Sequence, residues 1–139
     1  MRLADLHTLQ HLTETQYQLE QQSFQKLVKE EAALRLKLRR LSEQVAAAEQ
    51  GEPTPMQAIG ADVLWKSWVG RTRAALNLEL AQVLARKGYH IAQVRRAFGR
   101  RQITGQLLER AKTKTKAGHA QAALTQAINM TLFAASGDQ

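Results

Sequence analysis

Proline occurs at two positions only, 53 and 55. Inside a helix a proline removes a backbone donor and clashes with the carbonyl four residues back, at a cost of about 3 kcal/mol or more. The segment Gly51-Glu52-Pro53-Thr54-Pro55 therefore splits the chain into two long stretches, 1–50 and 56–139, that contain no such breaker. Composition says what those stretches form. Ala, Glu, Lys, Leu and Arg supply about half of the 139 residues, the mark of long helices and coiled coils. Gln, another good helix former, contributes 16 more, and aromatics are 5%. A sandwich or barrel needs β-branched and aromatic runs bounded by turn signals at short intervals, and this sequence has none. The expectation is an all-α chain: a long antiparallel two-helix coiled-coil hairpin. Helix one spans 1–50, a proline-bearing turn 51–57 and helix two 58–112. A C-terminal extension, 113–139, holds an amphipathic helix over 119–134, a third short helix that either folds back or pairs with another molecule.

Two apolar seams support this. Tyr17, Glu20, Phe24, Leu27, Glu31, Leu34, Leu38, Leu41 and Val45 are spaced alternately by three and four, the heptad signature of a coiled coil. Before Tyr17 the leucines recur every third residue (Leu3, Leu6, Leu9, Leu12), so the stripe drifts around the helix. In helix two a seam runs through Trp65, Trp68, Val69, Thr72, Leu76, Leu80, Val83 and Leu84. It resumes at Ile91, Val94 and Phe98, then less cleanly at Ile103, Leu107 and Leu108. Gly88 follows Arg86-Lys87 and could end a helix, but the spacing from Leu84 to Ile91 crosses it without losing phase. Folding at residue 55 sets a register: Trp65 against Val45–Ala48, Leu76 against Leu34, Leu84 against Leu27, Val94 against Tyr17. Indoles opposite alanines give the large-against-small packing that a dense interface needs.

Charge is uneven. Residues 1–50 hold seven basic and seven acidic side chains, and residues 51–139 hold 13 and five. The net charge of +8 thus comes from the second half. Between Arg86 and Lys116 ten basic residues stand against Glu109 alone, and such a field attracts acidic partners. Arg86, Lys87, Arg95, Arg96, Arg100 and Arg101 are candidate partner-binding residues, the alternative being the solvated faces of a coiled coil. Nucleic acid ranks lower as the partner, because Tyr89 and Phe98 are the only aromatics in this stretch and no helix-turn-helix, zinc-finger or basic-zipper pattern is present. Trp65 and Trp68 are candidate contact residues at the turn end, since helical positions three apart diverge by about 60° and one indole edge is left for solvent. Tryptophan is enriched at binding hot spots.

The sequence offers little for catalysis. No cysteine is present, so there is no thiolate ligand, thiol nucleophile or disulfide. His7 and His11 are a helical turn apart but lack a third ligand at useful spacing. No serine has a neighbouring base, and no phosphate loop, GxGxxG or HExxH occurs. No catalytic residue, cofactor or metal is expected. The longest apolar runs are about four residues, as at Val45–Ala48, too short to span a bilayer. The N-terminal residues begin a polar periodic pattern unlike a signal peptide, so the expected location is cytoplasmic, with peripheral attachment at the inner face of a membrane as an option.

The stretch Leu64-Trp-Lys-Ser-Trp-Val-Gly-Arg-Thr-Arg-Ala-Ala-Leu-Asn-Leu-Glu-Leu-Ala81, followed by Val94-Arg-Arg-Ala-Phe-Gly-Arg100, resembles the second helix of the FliJ/YscO family. These are small coiled-coil components of flagellar and related type III export apparatus. The match covers about 40 residues, and helix one is similar only as an amphipathic helix. The resemblance implies a non-enzymatic stalk whose paired terminal helices enter a hexameric export ATPase, and which also contacts an export gate protein and substrate chaperones. The end near 1–25 and 90–130 would enter the ring, leaving Trp65 and Trp68 for the gate. The glycines of helix two and the basic Lys112–Lys116 gap depart from the pattern. The competing expectation is a general coiled-coil adaptor or chaperone that binds an acidic protein partner, with the stripe at 120–132 holding a partner helix. Binding to an anionic membrane or nucleic acid comes after it.

Overall fold

A computed structural model describes residues 2–51, 55 and 60–138. Two helices account for nearly all of them: α1, Leu3–Gln50, and α2, Ala61–Gly137. The helices pack against each other as a helical hairpin, and no strand occurs among the described residues. Most of the proline-bearing segment 51–57 lies outside the described residues. Gly60 precedes α2 with φ of +92°, and its carbonyl accepts from the amides of Val63 and Leu64. It is thus the helix N-cap, in a backbone conformation that a residue with a Cβ rarely adopts. Asp62 in the first turn complements the helix dipole and pairs with Lys66 at 3.2 Å.

Contacts divide the chain into a central unit, Leu19–Arg95, and a terminal unit, residues 1–18 with 96–139. In the central unit the seam of α1 is the one expected. Glu20, Phe24, Leu27, Glu31, Leu34, Leu38, Leu41 and Val45 are all buried or half-buried, and Ala48 extends the series. Leu27, Leu34 and Val83 form the core, with Leu76 and Leu80 packed against it. The facing seam on α2 is Trp65, Val69, Thr72, Leu76, Leu80, Val83, Lys87, His90 and Val94. Its three-four alternation slips once, at Thr72-Leu76-Leu80, where two four-residue steps follow each other. Such a stutter locally unwinds a coiled coil.

Beyond the stutter the seam differs from the sequence expectation. Val83 and His90 face inward, whereas Leu84 and Ile91, each one residue later, are 40% and 37% exposed. Val83, not Leu84, joins Leu27 in the core. Val83 and Val94 hold their expected inward places, but Leu84 and Ile91 flank the seam, because α2 fills the inward positions between with Lys87 and His90. At the other end of this unit, Trp65 and Val69 share a depression with Val45 and Ala48. Ala46 and Ala47 face solvent, so of the three alanines only Ala48 borders the depression that Trp65 lines. α2 passes through Gly88 unbroken.

In the terminal unit Leu6, Thr13, Ala97, Thr104 and Leu108 are buried. Leu3 and Leu12 are exposed, because α1 keeps its heptad phase through Thr13 and Leu6 and does not follow the every-third leucines. The two threonines hide their hydroxyls by donating to carbonyls of their own helices, Thr13 to Gln10 at 3.0 Å and Thr104 to Arg100 at 2.7 Å. Of the positions expected on the seam, Leu108 is buried, while Phe98, Ile103 and Leu107 are exposed and Ala97 and Thr104 take inward places. Among the described residues no separate C-terminal helix forms and no boundary falls at 112: α2 continues to Gly137. The Lys112–Gly118 segment lacks an apolar stripe, but Lys and Ala are strong helix formers, Thr is tolerated, and one glycine costs about 1 kcal/mol. Nothing in it stops a helix.

Because the core is one seam deep, a single truncation should be felt. Leu34→Ala should lower the unfolding free energy by about 2–4 kcal/mol, measured by urea denaturation followed by circular dichroism. Leu78→Ala, on the exposed face, should change it by less than about 0.5 kcal/mol. Equal effects would mean that the seam is elsewhere.

Candidate interaction surfaces

Two seam positions, one in each unit, carry ion pairs rather than apolar contacts, and a third sets a carboxylate beside a histidine. Glu31, a heptad position of α1, accepts from Lys87 Nζ at 2.9 Å and from Arg35 at 3.3 Å, with its own side chain 14% exposed. The bond to Lys87 holds the Glu31 carboxyl below its ordinary range. Partial desolvation opposes the shift, and Arg35 adds to it. Glu20 lies 3.7 Å from Nδ1 of His90, which is itself buried without a hydrogen-bond partner. In the terminal unit Glu14 pairs with Arg101, whose guanidinium stands 5.0 Å from the ring centre of Tyr17, within cation–π range. Tyr17 in turn packs against Phe98 with ring centres 5.8 Å apart.

These pairs sort the candidate partner-binding residues. Lys87 and Arg101 are tied to α1 and help set how the helices meet, so the broad basic set loses two members to the seam. Arg86 and Arg95 in the central unit are exposed, and among the described residues neither has an ion-pair partner. The same holds in the terminal unit for Arg96, Arg100, Arg110, Lys114 and Lys116, while Lys112 pairs with Glu109 at 3.6 Å. The two tryptophans part as well. Trp65 is half-buried on the seam, and Trp68 is 47% exposed beside Leu64 at 73% and Val63 at 68%. The sequence signal for the ion pairs was present: a Glu at positions 20 and 31 of an otherwise apolar seam needs a partner of opposite charge, or a histidine, from the facing helix.

Past Ala111 the terminal unit changes character. Every described residue of α2 from Lys112 on is exposed. Leu124 (62%), Ile128 (50%), Met130 (66%), Leu132 (64%) and Phe133 (82%) are large apolar side chains left in solvent. Among the described residues no three of His, Cys, Asp and Glu come close enough to hold a metal ion, and no helix is long and apolar enough to cross a membrane. No family model matches this chain, and no curated protein or solved structure is significantly similar to it.

Two measurements test this sorting. Glu31 has a lowered folded-state pKa, so its contribution is fully present above the unfolded carboxylate pKa and is lost as pH falls through the lower folded value. The urea midpoint should therefore fall in that acid window, and Glu31→Gln should flatten that part of the profile. An identical slope in the variant would remove Glu31 as the source. Trp65→Ala should cost about 3 kcal/mol and Trp68→Ala less than about 1 kcal/mol, with denaturation as the readout.

Proposed function

We propose that this protein is a non-enzymatic helical adaptor of the export-stalk type, acting where a FliJ/YscO-like protein acts. In this reading it binds a hexameric export ATPase through its terminal unit and meets an export gate protein and substrate chaperones with other surfaces, on the cytoplasmic face of the apparatus. One observation carries the reading: α2 runs from Lys112 to Gly137 with every described side chain exposed. A helix of this length is stable in a protein chiefly because a face of it is covered, and no described residue of α1 covers this one. Its upstream turns add Arg96, Arg100 and Arg110, which have no ion-pair partner among the described residues. An exposed helix with cations at its base suits an acidic, concave protein surface. Among the described residues the depressions, such as the one at Trp65, lie open on the helix surface and do not give the water exclusion that catalysis uses.

Mixing with the cognate export ATPase should raise its hydrolysis rate and its hexamer fraction. Arg96→Glu combined with Arg100→Glu should weaken the interaction about tenfold or more without loss of helicity, because both side chains are exposed. Rising salt should weaken the wild type in the same direction. If neither hydrolysis nor ring assembly responds to the wild-type protein, the stalk reading is wrong.

A further inference from the structure

The free part of α2 has a composition unlike the rest of the chain. From Ala117 to Gly137 there is no Asp, Glu, Lys or Arg, over a span of roughly 30 Å at the α-helical rise. Its apolar residues form a stripe. Ala120, Leu124, Ala127, Ile128, Leu132 and Ala135 fall on one face at helical spacing, and Leu124, Ile128 and Leu132 are 50–64% exposed. The intramolecular seam does not run along this face. Continued past Ala111 at three-four spacing, it would pass through Thr115, Gly118, Ala122, Thr125 and Asn129, on a different side of the helix. The stripe is therefore not a leftover of the hairpin interface.

Charge decides the occupant. The cations that suit an acidic surface, Arg96, Arg100 and Arg110, lie upstream; along 117–137 itself, with no Asp, Glu, Lys or Arg, recognition rests on apolar packing. The charges sit at its two ends and differ in sign: Lys112, Lys114 and Lys116 precede it and Asp138 follows it. Parallel self-pairing would set the three lysines of one copy beside those of another, which costs energy. Antiparallel self-pairing separates them and brings Asp138 of each copy within a turn of Lys114 and Lys116 of the other. We propose that the 117–137 segment of α2 pairs antiparallel with the same segment of a second copy of this chain, about a two-fold axis at Ile128.

The symmetry fixes the layers. Ile128 meets its own counterpart, Leu124 meets Leu132 of the second copy, and the flanking alanines let the backbones approach. Such a contact is isologous and closes as a dimer. Its short apolar face belongs to the small class of interface, below about 1,200 Å², so the dimer should be weak, with a dissociation constant on the order of 10 μM. Self-pairing occupies the same helix that the stalk reading leaves for the ATPase, so the two states compete. The dimer does not depend on that reading and can be tested without the ATPase.

Sedimentation of the full chain from about 1 to 200 μM should show a monomer–dimer equilibrium. Ile128→Asp should leave a monomer with unchanged helicity, since Ile128 is exposed, whereas Phe133→Ser, off the stripe, should leave the dimer intact. Direction is read by oxidation of single-cysteine variants, which is unambiguous in a chain with no native cysteine. Ile128→Cys should form a disulfide-linked dimer. Leu124→Cys alone should not, but should do so when mixed with Leu132→Cys. A monomer throughout the concentration range would overturn the proposal. So would Leu124→Cys crosslinking to itself as readily as Ile128→Cys, because that is the parallel pattern. Binding to anionic vesicles by a protein that stays monomeric would assign the stripe to a lipid surface and likewise overturn it.

Discussion

The contact of Leu27 and Leu34 on α1 with Val83 on α2, flanked by Leu76 and Leu80, is the interaction on which the rest of the structure depends. Two helices have no third layer to cover them, so the apolar area removed from water is confined to one strip on each. Burying a leucine there contributes roughly 1.5–3 kcal/mol relative to leaving it exposed. Everything off that strip faces solvent whatever its chemistry, which is why Leu78 and Leu84 are exposed while Leu34 and Val83 are not. Exposure of a single leucine therefore says little here. A run of exposed apolar residues on a helix with no facing neighbour says more.

Part of the seam is polar, and that part is specific rather than strong. An apolar seam tolerates sliding by a heptad, since one leucine resembles the next. Glu31 against Lys87 in the central unit, and Glu14 against Arg101 in the terminal one, give each unit a pairing that only one register satisfies. Breaking the Glu31–Lys87 pair leaves a largely covered carboxylate without its partner, whereas the more exposed Glu14–Arg101 pair loses less, and a leucine displaced by a heptad finds another leucine. Polar seam residues of this kind define alignment in coiled coils at some cost in stability. Thr13 and Thr104 carry no such register information, because each hydroxyl is satisfied within its own helix.

The surfaces that remain are chemically distinct, which matters for function. The exposed arginines and lysines upstream on α2 offer charge, and the 117–137 segment offers shape and apolar contact without charge. The proposed adaptor role would use both kinds, because charge speeds encounter and apolar packing slows release. Trp68 with Leu64 and Val63 is a third, small apolar group in the central unit.

The positions of Pro53 and Pro55 and the heptad spacing of residues 17–45 were enough to assign an all-α hairpin and to name the inward face of α1, because proline exclusion and side-chain periodicity are local rules. Helix two was harder. Val83, Val94 and Leu108 lie inward as their spacing predicts, but Ile91 and Phe98, one place past the seam, are more apolar than the seam residues His90 and Ala97, so a reading by hydrophobicity takes the flanking residue there. Only the facing helix reveals that Glu31 and Glu20 wait opposite Lys87 and His90, and so which cations are committed and which are free. The fate of 112–137 was likewise a tertiary matter. Its sequence permits a helix, but whether that helix is covered depends on where the partner strip of α1 ends, and nothing within 112–137 encodes that.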